Sequence, residues 1–405
     1  MKRKFLTLLL LSLLGASLLP MSLLAGEWDF FGKLSMEGRF FPNSPAYASQ
    51  KPMTLAPSVT LEPELVYGWN DDYDRVYLSP FARLDANDHK RTHVDLREFN
   101  WLHLASDWSI RVGLGKVFWG VTESRHLVDI INQSDAVEDI SGEEKLGQAM
   151  VNVTLERRWG TVSMFILPGF RPTTFSADDA RLHGPLPIDS AHPSYQSGRA
   201  QRHVDWALRW SHTLGDLDLA LSHFQGTSRE ARLLLGQRAG QPWLQPHYGQ
   251  IGQSGLELQW TRENTLWKGE AISRTGQGRR FYAAVAGFEH TLYGVAGSVI
   301  DIGLLMEYLY DGRDPRFAPP TMADHDLFAG FRIVLNDRDD STLLVGGSWD
   351  HRNYASFINI EGERRLTDRL KLTLTGRFFM NIPATDPLWF MRQDDYLELK
   401  LARYF

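Results

Sequence analysis

From about residue 26 to the last residue, apolar and polar side chains alternate in segments of about ten residues. That two-residue period belongs to strands with a different environment on each face. The final segment shows it plainly, with Leu397, Leu399, Leu401 and Phe405 on one face and Glu398, Lys400 and Tyr404 on the other. The preceding segment sets Leu370, Leu372, Leu374 and Phe378 against Lys371, Thr373, Thr375 and Arg377. Further back, Ile300, Ile302, Leu304, Met306 and Tyr308 oppose Asp301, Gly303 and Glu307, and Leu256, Leu258 and Trp260 oppose Glu257, Gln259 and Thr261. The same rhythm puts Val204, Trp206, Leu208 and Trp210 against Asp205, Ala207 and Arg209, and Val59, Leu61, Leu65 and Tyr67 against Thr60, Glu62 and Glu64.

A soluble β-sandwich alternates too. Two features favour a transmembrane barrel. The segments run to about 10–14 residues, long for a sandwich but suited to a tilted membrane crossing. The apolar rows also tend to end in Trp or Tyr, where aromatic girdles meet lipid headgroups. Connections alternate in length. Short turns fall at 70–72, 106–107, 158–160, 214–216, 263–264, 293–297, 336–340 and 367–368, and suit periplasmic hairpins. Longer segments at 42–52, 120–146, 169–200, 227–252, 311–323 and 381–392 would be extracellular loops. The fold expected is all-β, an antiparallel up-and-down transmembrane barrel of roughly eighteen strands with both termini on the periplasmic side. Sixteen is the alternative count, because 160–168 and 279–291 are weakly patterned.

The first residues set the compartment. Lys2, Arg3 and Lys4 precede an almost wholly apolar run from Leu6 to Leu24, and Ala25-Gly26 supplies small residues for cleavage. Residues 1–25 are expected to be a cleaved signal peptide, with an uncleaved anchor as the rival, and 26–405 a single barrel domain. With no cysteine in the chain, a lipid anchor and a disulfide-stapled fold are excluded. Mean hydropathy is −0.29, yet aromatic residues make up 12%; barrel strands reconcile the two by hiding apolar groups at every second position. A net charge of −6 is too mild to point to nucleic acid. The terminal Phe405 closes an alternating strand, the kind of end that bacterial barrel-assembly machinery reads; Arg403 departs from the apolar residue usual there. The partners expected are therefore outer-membrane lipids and lipopolysaccharide, that machinery, and a small polar solute.

Function is concentrated in one segment. After Arg111-Val-Gly-Leu-Gly-Lys116-Val-Phe-Trp119-Gly120 the alternation stops for about two dozen residues, and a loop that long is either functional or disordered. Within it Leu127, Val128, Ile130 and Ile131 sit among Arg125, His126, Asp129, Asn132 and Asp135. So apolar a loop is expected to fold into the lumen and narrow the pore, with a surface loop packed on the rim as the plainer reading. Lys116, Arg125, Asp129 and Asp135 either oppose one another across a constriction, making a transverse field, or pin the loop to the wall as salt bridges. Alternation also places Arg209, Arg332 and Arg377 on the lumen face, among acids such as Glu257, Glu270, Glu307 and Glu361.

The runs RVGLGKVFWG, VDIINQSDAVED, KLGQAMVNVTLERRWG and FILPGFRP resemble a pattern of large Gram-negative porin-like barrels, the alginate-export-type porins and related uncharacterised families. The matching positions are Arg111, Gly115, Lys116, Trp119, Gly120, Asp129, Ile131, Asn132 and Asp135. The resemblance implies outer-membrane transport. The mixed signs of the lumen charges depart from the arginine-lined channel an alginate exporter would have.

Other functions have thinner support. Ser124, His126 and Asp129 are the nearest grouping to a hydrolytic triad of a barrel enzyme, and no catalytic role is expected of them. Inward Phe81, Phe224, Phe328 and Phe379 keep uptake of hydrophobic compounds as an alternative. Asp178, Asp179 and Asp189 lack the spacing of a calcium loop, so no metal and no cofactor are expected.

Overall fold

The computed structural model describes residues 26–238 and 240–405; the expected signal peptide lies outside the described residues. Eighteen antiparallel strands close into one barrel. In chain order they are β1 (Gly26–Phe40), β2 (Leu55–Trp69), β3 (Asp74–Asp85), β4 (His93–Leu104), β5 (Trp108–Gly115) and β6 (Gln148–Arg157). There follow β7 (Gly160–Pro168), β8 (Val204–Leu214), β9 (Leu217–Thr227), β10 (Gln250–Arg262), β11 (Thr265–Thr275) and β12 (Phe281–Leu292). The circuit ends with β13 (Asp301–Asp311), β14 (His325–Val334), β15 (Thr342–Asp350), β16 (Ser356–Thr367), β17 (Leu370–Met380) and β18 (Tyr396–Tyr404). The weakly patterned stretches 160–168 and 279–291 both supply strands, which decides for eighteen over sixteen.

Each strand pairs with its sequence neighbour, and β1 pairs with β18 from Lys33↔Tyr404 to Phe40↔Leu397. Gly32 and Phe405 exchange backbone hydrogen bonds at 3.1 Å in both directions, so the terminal residue is built into the seam. A Cβ on Gly32 would lie 2.6 Å from the Glu62 carbonyl oxygen, which requires glycine at this close approach. The tight turns carry left-handed residues where the sequence offers Asn and Asp, as at Asn70, Asp71 and Asp72, and at Asn336.

The outward rows are exposed on the isolated barrel, as lipid-facing rows must be, with Leu399, Leu258, Leu304 and Met306 among them. Large aromatics gather at both ends: Trp101, Trp108, Trp159, Trp260 and Trp267 toward the short turns, and Tyr282, Tyr308, Tyr310 and Trp349 toward the long loops. Among the described residues no helix is long and apolar enough to cross a membrane; the crossing is made by strands.

One of the long loops carries strands of its own. The segment 227–252, read as a loop, contains a hairpin of strands Arg232–Arg238 and Gln241–Tyr248, extended by Ser194–Tyr195 pairing in parallel with the second. Leu233, Leu234 and Leu235 run consecutively and Pro242 and Pro246 interrupt the partner, so no two-residue alternation marks either strand.

Candidate functional site

The loop 116–147 leaves β5 and folds back against the inside of the barrel. Val128 and Ile131 are fully buried, and Leu127 and Ile130 nearly so. Together with Trp119 they form one cluster with inward-facing Met150, Phe165, Phe224, Ile251, Ile272, Val285, Leu305 and Phe328. The wall from β6 to β14 therefore carries apolar side chains on its inner face, and the loop covers them. Burying each Val, Leu or Ile side chain there contributes roughly 1.5–3 kcal/mol.

An irregular segment inside a barrel has no ladder to satisfy its backbone N–H groups. Two wall carboxylates take that part. Glu270 on β11 accepts from the backbone nitrogens of Val121 (2.8 Å), Thr122 (3.1 Å) and Val128 (3.2 Å), and from the Thr122 hydroxyl at 2.7 Å. Glu307 on β13 accepts from the backbone nitrogens of Glu123 and Ser124, both at 2.8 Å, and from the Ser124 hydroxyl at 2.5 Å. Gly120 permits this approach: its φ is +136°, and a Cβ would lie 3.0 Å from Glu270 Oε1 and 2.8 Å from His126 Nδ1. Asn132 clasps the two stems of the loop, accepting from Val117 N at 2.9 Å and donating to the carbonyls of Gly115 (2.9 Å) and Leu146 (2.8 Å).

The second half of the loop reaches the opposite wall by charge. Arg97 Nη1 on β4 lies 2.8 Å from Asp135, and Arg83 Nη2 on β3 lies 2.6 Å from Glu138. Arg39 on β1 donates to the Glu138 carbonyl at 3.1 Å. Glu37 ties the cluster together, 3.0 Å from Arg83 and 2.7 Å from Arg91. Burial holds the Glu138 carboxyl above the usual range despite Arg83 and Arg91.

Most of the site residues expected from sequence are locally paired. Arg125 donates to Thr321 Oγ1 at 2.7 Å and the Ala323 carbonyl at 3.3 Å, with Asp311 3.4 Å away. Asp129 lies 3.1 Å from Lys145, and burial raises its pKa. Arg209 grips Glu257 with two bonds of 2.9 and 2.8 Å. Arg332 bridges Glu123 (2.8 Å) and Glu289 (3.2 Å), and Arg377 binds Glu361 at 2.9 Å. Trp119 is buried edge-on against Phe165, their ring centres 5.7 Å apart. Of the four loop charges, Arg125, Asp129 and Asp135 thus act as pins. Arg111 and Lys116 differ. Arg111 makes a single 3.4 Å contact to the Lys116 carbonyl, and neither cation has an ion-pair partner among the described residues.

Sequence reasoning placed Glu270 and Glu307 on the lumen face without seeing what they hold. It missed Arg97 altogether. The β3–β4 register slips there, pairing Ser79 with Glu98 and Pro80 with Leu96, so Arg97 falls at a bulge that breaks the alternation.

No protein-family model matches the chain, and no curated protein matches it. Among solved structures, a BenF-like porin from Pseudomonas fluorescens Pf-5 superposes with a TM-score of 0.54 at 11% identity, over 94% of this chain and 98% of that one. OmpT, an outer membrane protein of Vibrio cholerae in trimer form, gives 0.45 at 11% identity over 94% and 100%. The chain has a porin-like fold, a closed antiparallel barrel of eighteen strands. At 11% identity the BenF-like porin shares its fold and nothing finer.

The residues on which the two rival functions rested are engaged elsewhere. Ser124 is bound to Glu307, His126 faces Glu270 at 3.7 Å, and Asp129 faces Lys145, so the three are not joined as a triad. The inward phenylalanines form no bare apolar cleft. Phe224 and Phe328 lie under the loop's ridge, Phe379 packs with Ile382 and Leu388 of the last extracellular loop, and Arg97 stands 4.4 Å over the Phe81 ring. Asp178, Asp179 and Asp189 do not come together: Asp179 pairs with Lys51 and Asp189 with His192.

Proposed function

We propose that this porin-like barrel is a passive diffusion channel for small polar or charged solutes, narrowed by the 116–147 loop. One observation carries the reading. The apolar part of the inner wall from β6 to β14 is covered by the loop's own apolar ridge, while the pairs Arg209–Glu257, Arg332–Glu289 and Arg377–Glu361 keep charge on the inner face. Such a lining suits hydrated solutes and repels oily ones. Arg111 and Lys116, at the point where the loop leaves β5, supply cations that a passing solute meets, whereas Arg209, Arg332 and Arg377 are neutralised by neighbours. The exposed outer rows contact outer-membrane lipid and lipopolysaccharide, and the strand ending in Phe405 serves the assembly machinery.

The test is single-channel conductance of the refolded protein in a planar lipid bilayer. Ohmic steps with weak ion selectivity support the channel. A folded, heat-modifiable barrel that never conducts overturns it.

A further inference from the structure

Among the described residues two groups of acidic and histidine side chains lie close enough to share a cation: His93, Asp135 and Glu138 inside the barrel, and Asp324, Asp326 and Asp350 at the extracellular ends of β14 and β15. The first is already neutralised, because Arg97 and Arg83 lie 2.8 and 2.6 Å from its carboxylates. The second is not. One carboxylate oxygen from each aspartate lies within 4.8 Å of the others, and the ion pair at their exposed edge is Arg352 with Asp324, at 3.5 Å.

Three carboxylates this close repel one another strongly unless a cation or proton stands between them. Asp326 is only 4% exposed, and its Oδ2 has no hydrogen-bond donor. A buried, unpartnered carboxylate oxygen costs free energy on the order of 1–3 kcal/mol or more, so it calls for a ligand. Asp350 spends Oδ1 on the backbone nitrogens of Arg352 (2.7 Å) and Asn353 (3.4 Å), which fixes its carboxylate in place. Asp326 and Asp350 are paired residues of adjacent strands, so the sheet itself sets their separation.

We propose that Asp324, Asp326 and Asp350 bind one divalent cation of the hard, oxygen-seeking kind, calcium or magnesium, at the extracellular rim. All-oxygen donors in threefold carboxylate supply suit such ions, with water completing the shell. The cation joins the loop 312–324 to the rim of the sheet. Asp324 adjoins Ala323, whose carbonyl takes the Arg125 guanidinium, so the same ion steadies the anchor of the inward loop.

Calorimetric titration of calcium chloride, then magnesium chloride, into the full chain refolded in detergent without lipopolysaccharide tests this. One saturable site is expected for at least one ion, with a dissociation constant of order 10⁻⁴–10⁻³ M, as extracellular calcium modules show. Asp326→Asn should weaken it at least tenfold while the barrel stays heat-modifiable; Asp350→Asn serves equally if that variant fails to fold. No saturable uptake of either ion overturns the proposal. So does uptake that survives both substitutions, or that is lost instead in Asp178→Asn/Asp179→Asn.

Discussion

The two sides of the barrel interior hold the same loop by opposite means. From β6 to β14 the wall presents Met150, Phe224, Ile251 and Leu305, and the loop meets it with Val128 and Ile131. From β1 to β4 the wall presents Arg39, Arg83 and Arg97, and the loop meets it with Asp135 and Glu138. The apolar part of the first contact is strong but indifferent to detail, since such burial depends on area and not direction, and on that side direction comes from the Glu270 and Glu307 carboxylates. The second is directional, and little net stability follows from it, because removing charges from water offsets most of their attraction. Burial keeps the loop inside; the ion pairs fix where its polar half lies.

That comparison can be broken first on the apolar side. Val128→Asp puts a carboxylate into a fully buried position and should cost at least about 3 kcal/mol. The loop should leave the wall, seen as larger conductance steps and as protease cleavage within 120–131. On the charged side Arg97→Met strands Asp135 and should cost about 3 kcal/mol, with Arg97→Met/Asp135→Asn recovering most of the loss in the heat-modifiability midpoint. Glu270→Ala removes the acceptor of three backbone N–H groups and should cost about 2 kcal/mol, whereas Glu270→Gln keeps an acceptor and should cost less.

A smaller effect is expected at the extracellular side, where Asp394 binds the buried Arg181 at 2.7 Å. Burial, outweighing Arg181, pushes the Asp394 carboxyl up to about 6 from its ordinary 3.8. A raised carboxyl favours the protonated folded state. Its contribution to stability is therefore complete below pH 3.8 and lost as pH rises through about 6. Asp394→Asn should flatten the slope of unfolding midpoint against pH in that window. Last, Lys116→Glu should leave the midpoint unchanged and shift the cation-to-anion permeability ratio about twofold toward cations.

The fold was legible because the membrane enforces it at every second residue. Leu256, Leu258 and Trp260 had to face lipid, so Glu257 had to face inward. The site was legible only in outline. Alternation announced the inward loop by stopping after Trp119, and its apolar content announced burial. What Glu270 and Glu307 hold depends on contacts across about 150 to 180 residues of chain, which no local period encodes. Arg97 was hidden by a bulge, and the hairpin 232–248 by prolines and a leucine run.

The seam between Gly32 and Phe405 has a consequence in time. Every other pairing in the barrel joins strands adjacent in sequence and can form as a hairpin, but this one joins the first barrel strand to the last. Until the last residues are in hand, the molecule is a curled sheet with two raw edges, open to pairing with any other strand. Closing it must overcome the entropy of the longest loop the chain can make, the slow kind of contact. Phe405 is therefore a latch: until it meets Gly32, both edges of the sheet stay open.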